Sequence, residues 1–132
     1  MKNTMLKLID CSFDFLPGFD RPATVIKEHE AGFGYTEFIR ERAEVIAIEH
    51  TGFEGEEMVR GIRYRFFRGG GRFTRVPLKA LHYIKRQQPD IIIAQGLIFP
   101  LQVIALRLKM GSKCPIIVQH HGEKPFTGIK RR

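Results

Sequence analysis

Hydrophobic positions along this chain alternate between short continuous runs and helical spacing. Leu6-Lys7-Leu8-Ile9-Asp10-Cys11 is a short, mostly apolar run ending at Ser12, and it predicts a first strand. Pro17, Gly18 and Pro22 then break the chain. Residues 23–43 predict helix in two pieces, interrupted near Gly32 and Gly34. Tyr35, Phe38 and Ile39 recur at helical spacing in the later piece, with Glu37, Arg40, Glu41 and Arg42 on its other side. Val45-Ile46-Ala47-Ile48 has the length and β-branching of a buried parallel strand. Over 59–67 the pattern changes to interleaved apolar and basic residues. Val59, Ile62, Tyr64 and Phe66 interleave with Arg60, Arg63 and Arg65, which predicts one half-exposed edge strand bent at Gly61.

Gly69-Gly70-Gly71 closes that strand, and a helix is expected from about Pro77 to Gln87. Its apolar positions are Leu78, Leu81 and Ile84, and Pro89 stops it. Ile91-Ile92-Ile93-Ala94 is a buried strand with Gln95-Gly96 as its exit. Pro100 opens a second helix whose stripe is Leu101, Ile104, Ala105 and Leu108; Gly111 caps it. Pro115-Ile116-Ile117-Val118 is the last buried strand, with Gln119-His120-His121-Gly122-Glu123 at its tip. Strand, helix, strand with continuous apolar strands is the pattern of a parallel α/β sheet. Right-handed crossovers lead to helices on both faces.

At 132 residues the chain fits one domain, and 43% apolar with 27% charged residues is an ordinary globular mix. No apolar run approaches the ~20 residues of a membrane-spanning helix, and Lys2, Lys7 and Asp10 argue against a secretory signal. Cys11 and Cys114 each sit in an apolar segment and read as core thiols of a reduced, cytoplasmic protein. Charge changes the picture more. Residues 1–57 carry a net charge of −6 and residues 58–132 a net of +14. Between Arg60 and Arg86 lie nine basic residues and no acid. That block suits a solvated basic face, anionic lipid, phosphate or nucleic acid.

Ligands of open parallel sheets collect at the carboxyl ends of strands, where the strand order reverses. Three tips carry polar or glycine residues: Ser12, Gln95 with Gly96, and His120 through Glu123. They converge if the first, fourth and fifth strands of the expected parallel set are neighbours. A histidine at 120 or 121 has the near-neutral pKa of a general base or a sugar-hydroxyl partner, and Gly122 admits close approach. The alternative for each is an imidazole bonded to a neighbouring loop. Adjacent residues of an extended chain point opposite ways, so only one of the pair can face a crevice. No third ligand lies at zinc spacing, so no metal site is expected. His29, His50 and His82 stand alone and read as structural or surface residues. The chain has no GxSxG elbow, no Walker loop and no GxGxxG after the first strand.

Pro89-Asp90-Ile91-Ile92-Ile93-Ala94-Gln95-Gly96-Leu97, then Pro100-Leu101, then Cys114-Pro115-Ile116-Ile117-Val118-Gln119-His120-His121-Gly122 resembles the acceptor-side domain of GT-B glycosyltransferases. The similarity is to the large retaining group of sucrose and glycogen synthases and bacterial cell-wall and polysaccharide transferases. Gly61-Ile62-Arg63-Tyr64-Arg65-Phe66 and Tyr35 to Ile48 resemble further pieces of that domain. The resemblance implies a Rossmann-like, doubly wound, mostly parallel α/β domain spanning 1–132, with one edge strand or hairpin. It also implies a hexosyltransferase of carbohydrate biosynthesis, with the donor held by a C-terminal domain that this chain does not contain.

Under that resemblance His120 or His121 is the catalytic candidate, and Ser12, Gln95, Gly96, Gly122 and Glu123 are substrate-binding candidates. Gln95 stands where the family often has histidine, and Phe15-Leu16-Pro17-Gly18 replaces its glycine pair. No cofactor is expected, since the nucleotide sugar is a donor substrate. The chain alone is expected to be inactive. Its partners would be a sugar acceptor and, through residues 60–86, the inner face of an anionic membrane. The alternative is a basic nucleic-acid- or phosphate-binding α/β module, in which that basic stretch grips phosphates while Tyr64, Phe66, Phe67 and Phe73 stack on bases. The strand-like alternation of these aromatics and the lack of an RNA-binding motif disfavour nucleic acid.

Overall fold

The computed structural model describes residues 5–15, 42–59, 61–69, 75–95 and 99–119. Six strands and two helices follow in chain order: β1 (Leu6–Phe15), β2 (Ala43–Thr51), β3 (Gly55–Val59), β4 (Ile62–Arg68), α1 (Leu78–Gln87), β5 (Ile91–Gln95), α2 (Pro100–Met110) and β6 (Ile116–Gln119). They form one sheet in the order β3-β4-β2-β1-β5-β6, parallel throughout except for the β3–β4 pair. Without β3 this is the order of a Rossmann-like sheet, with β1 and β5 flanking its centre. The α/β class and the mostly parallel sheet follow the sequence reading, and the antiparallel β3–β4 pair is the hairpin form of the one edge strand or hairpin expected.

β1 and β2 pair mainly through apolar residues, Leu8, Ile9 and Cys11 meeting Val45, Ile46 and Ile48, and β-branched residues fit such a two-sided burial. Ile9, Cys11, Phe13, Ile46, Ile48, Ile92 and Ala94 pack with Ala80, Leu81, Ile84 and Leu106 of the two helices. Leu8, Val45, Ala47, Ile62, Tyr64 and Phe66 form the core of the opposite face. The two described helices therefore share one face. The expected helix at 23–43 lies outside the described residues, apart from its end, where Ala43 opens β2.

The expected single strand over 59–67 is instead a hairpin. Gly61 has φ 82°, a value that favours glycine, and the chain reverses there so that Val59 pairs with Ile62. The reversal was hidden because β3 (Gly-Glu-Glu-Met-Val) has no core-facing alternation of its own. It is held by its partner: Arg63 pairs with Glu56 at 3.2 Å, and Arg65 donates to the Gly55 carbonyl at 3.1 Å.

The apolar stripes of both helices also need correction. In α1, Leu81 and Ile84 are buried with Ala80, but Leu78 is 72% exposed. In α2 most of the expected stripe faces outward: Leu101, Ile104 and Leu108 are exposed and Ala105 alone of the four packs against the core, beside buried Leu106, while Gln102 is also buried. α2 is apolar nearly all round, so its periodicity supports more than one inward face. Gln102 decides between them, because its Nε2 donates to the Arg75 carbonyl at 2.9 Å and ties α2 to the chain entering α1. Pro77 precedes α1 as its cap rather than occupying its first turn.

Asp90 of the Pro-Asp segment has a structural task. Its Oδ2 accepts from the Lys7 amide at 2.7 Å, and its own amide donates to the Lys7 carbonyl at 2.8 Å. This clamp sets the register in which Leu8 meets Ile91 and Ser12 meets Gln95.

Candidate functional site

The register aligns the strand ends into one row. Ser12 of β1 pairs with Gln95 of β5, which pairs with Gln119 of β6. Residues paired across parallel strands share a face, and successive residues alternate. Ser12, Gln95 and Gln119 therefore share the face away from α1 and α2, as do Asp10, Glu49 and Thr51. The neighbouring strands that the sequence argument required are present, and β1 and β5 lie side by side.

Within this row Asp10 is the most consequential residue. It is fully buried in β1, and Gln95 Nε2 donates to its two carboxylate oxygens at 3.0 and 3.1 Å. Glu49 and Thr51, at the end of β2, are buried on the same face. A buried carboxylate is expensive unless hydrogen-bonded, so these groups mark a polar end on an otherwise apolar sheet. Their charge reaches through the sheet to Cys11: burial first, then the Asp10 and Glu49 carboxylates, push its thiol well above the ordinary range. Cys11 and Cys114 are both free and buried, as core thiols should be.

His50, on the helix face of β2, is buried between Phe13 and Phe67, with ring centroids 6.3 and 6.1 Å away. Its Nδ1 lies 2.8 Å from the Ser12 carbonyl, an acceptor, so Nδ1 carries the proton. Nε2 is left buried with no hydrogen-bond partner. Burial lowers the pKa of this imidazole, against the opposing pull of the Ser12 carbonyl, and keeps it neutral. His50 thus anchors the end of β1 to β2 and is a structural residue, as expected, whereas His82 is exposed on α1.

Of the expected site residues, Ser12 and Gln95 lie next to each other in the row. Gly96, His120, His121, Gly122 and Glu123 lie outside the described residues. Asp10 and Glu49 were missed as site residues. The available signal was a charged residue inside or directly after an apolar strand run, at the same parity as Ser12 in the case of Asp10. Among the described residues no group of three or more metal-ligating side chains occurs, and no helix is long and apolar enough to cross a membrane.

The basic stretch at 60–86 is not one free patch. Arg63 pairs with Glu44 and Glu56, Arg65 with Glu54, and Lys79 with Glu54. Arg65 also lies 4.3 Å over Phe67 and 5.4 Å from the Tyr83 ring. Comparison with known proteins adds no relative: no family model, curated protein or solved structure matches this chain.

Proposed function

We propose that this chain is the acceptor-binding part of a GT-B-type glycosyltransferase, which moves a sugar from a nucleotide-sugar donor to a glycan, lipid or small-molecule acceptor. The observation that carries the reading is the row Ser12–Gln95–Gln119 at the carboxyl ends of three adjacent parallel strands, backed by the Asp10–Gln95 pair. Such a row offers both donors and acceptors to sugar hydroxyls. Its position beside the β1/β5 boundary is where open α/β sheets bind ligands. Gln119 directly precedes His120 and His121, so the resemblance's histidine belongs to the end of this row in sequence. One wall of a cleft does not transfer a sugar, and in this reading the donor comes on a separate domain.

The nucleic-acid alternative loses support from burial. Tyr64, Phe66 and Phe67 are at most 4% exposed, so none of them presents a face for a base to stack on.

The test is amide-resolved NMR of the chain titrated with a panel of free and lipid-linked saccharides, alongside a turnover assay with UDP-glucose. The expected result is saccharide-dependent shifts at Ser12, Gln95 and Gln119, weakened about tenfold in affinity by Gln95→Ala, and no turnover. A panel that moves none of these amides contradicts acceptor binding. Multiple turnover by the chain alone contradicts the division of labour.

A further inference from the structure

We propose that α1 and α2 form a docking face for an anionic lipid bilayer, with Leu78, Leu101, Ile104 and Leu108 entering the headgroup boundary. The outward face of α2 is apolar where a solvated helix should be polar, and Leu78 at the start of α1 extends it. Leu108 is 77% exposed, Leu78 72%, Ile104 56% and Leu101 43%. These side chains are contiguous rather than scattered. An open groove of about 670 Å³ between the helices is lined by Leu78, Leu81, Ala105 and Leu108, among others. A second, of about 290 Å³, runs from Ile104 and Leu108 to Ile116 and Val118 of β6. Leu108 is the ridge that both grooves share. A connected apolar surface of this kind marks a contact site.

Charge selects the occupant. Residues 75–119 contain seven Lys and Arg and a single acid, Asp90. Asp90 is engaged with the Lys7 amide at the amino end of β5. Lys79 is offset by Glu54, but Lys85, Arg86, Lys109 and Lys113 are exposed and have no ion pair among the described residues. Arg107 and Lys109 line the grooves themselves. Exposed aliphatic side chains beside Arg107 and Lys109 form the composition of an interfacial, lipid-facing surface. A second copy of the chain would bring these cations against one another. A nucleic acid would meet exposed leucine and isoleucine with no exposed Phe, Tyr or Trp ring among the described residues. The docking face takes in the last part of the basic stretch at 60–86, the α1 cations Lys85 and Arg86, whereas Arg63, Arg65 and Lys79 of that stretch are ion-paired. It also lies on the helix side of the sheet, opposite the Ser12–Gln95–Gln119 row. It stands whether or not the chain binds an acceptor, because its test reads lipid binding alone.

The experiment is co-sedimentation of the 132-residue chain with phosphatidylcholine vesicles, with and without phosphatidylglycerol as about one lipid in three. The chain should sediment with the anionic vesicles and several-fold less with the neutral ones, and binding should weaken between ~0.05 and ~0.3 M salt. Leu108→Gln with Ile104→Gln should lower partitioning at least about tenfold, and Lys109→Gln roughly fivefold. Met58→Gln, at an exposed position on β3, should leave it unchanged. No sedimentation with anionic vesicles overturns the proposal, as does equal loss from Met58→Gln. A dimer in light scattering that Leu108→Gln dissolves assigns the face to a second copy and also overturns it. Should the double variant fold poorly, the Lys109→Gln and salt series still decide.

Discussion

The two edges of this sheet are finished in opposite ways. At the β3 edge, Glu56, Glu57 and Met58 are exposed, and the strand is laced to β4 by Arg63 and Arg65. Charges on a short edge strand discourage further pairing, so this edge is closed to a partner. At the other edge, β6 exposes half of Ile117 and is flanked by the uncovered leucines of α2, with no acid on β6 or α2. The number of basic residues does not separate the two edges. What separates them is where acids stand beside the arginines. Among the described residues, it is beside α2 and β6 that cations without an ion pair accompany exposed leucine and isoleucine.

The sharpest way to break this comparison lies in two leucines of α2, two positions apart. Leu106 is fully buried against the sheet and Leu108 is 77% exposed. Leu106→Ala should cost about 2–5 kcal/mol of unfolding free energy, whereas Leu108→Ala should stay within about 0.5 kcal/mol. Urea denaturation of both variants measures this directly. Equal losses would mean that α2 turns its other face to the core, and that the open edge is not open.

How much of this was legible follows the same division. The strands at 45–48, 91–94 and 116–118 were readable because an unbroken apolar run of strand length between breakers allows few alternatives, and the strand at 6–11 because its run is interrupted only by Lys7 and Asp10. Their neighbour relations followed from the rules of parallel sheets. The direction of α2 was not readable, because Leu101/Ile104/Leu108 and Gln102/Leu106 are equally periodic. A single hydrogen bond from Gln102 to the Arg75 carbonyl selects between them. The β3 strand was invisible for a related reason: its ladder is satisfied by Arg63 and Arg65 from another segment, and its own residues carry no burial signal. At the candidate site, Ser12 and Gln95 were found from their position after apolar runs. Asp10 was passed over because it sits inside one, where only the pairing with Gln95 shows its place in the row.

A second, smaller effect tests whether acid sensitivity belongs to the centre of the sheet or to its edges. His50 is neutral and buried, its pKa lowered from 6.5 in the unfolded chain by desolvation. The unfolded state therefore takes up a proton that the folded state refuses. Stability is full above about pH 6.5 and falls as the pH drops from there towards the folded pKa, by at most about 1.4 kcal/mol per pH unit. Replacing the imidazole by a ring that does not titrate, His50→Phe, should flatten the denaturation midpoint between pH 7 and the acid limb, whatever its offset at neutral pH. An unchanged slope would assign the acid response to other groups.

The smallest expected effects lie at the β3 edge, and there the type of contact matters more than the number of ion pairs. Arg65 covers Phe67 at 4.3 Å and donates to the Gly55 and Phe66 carbonyls at 3.1 and 3.0 Å. Arg65→Ala should therefore cost about 1–2 kcal/mol, and most of that loss should persist in high salt, since stacking and carbonyl contacts are screened little. Lys79 is exposed and reaches Glu54 across solvent at 3.1 Å. Lys79→Ala should change stability by no more than about 0.5 kcal/mol, and any difference should vanish in ~1 M salt. Paired denaturation curves at low and high salt separate the two. If both losses disappear with salt, the edge is held by simple charge pairing, and β3 is a looser closure than the contacts of Arg65 indicate.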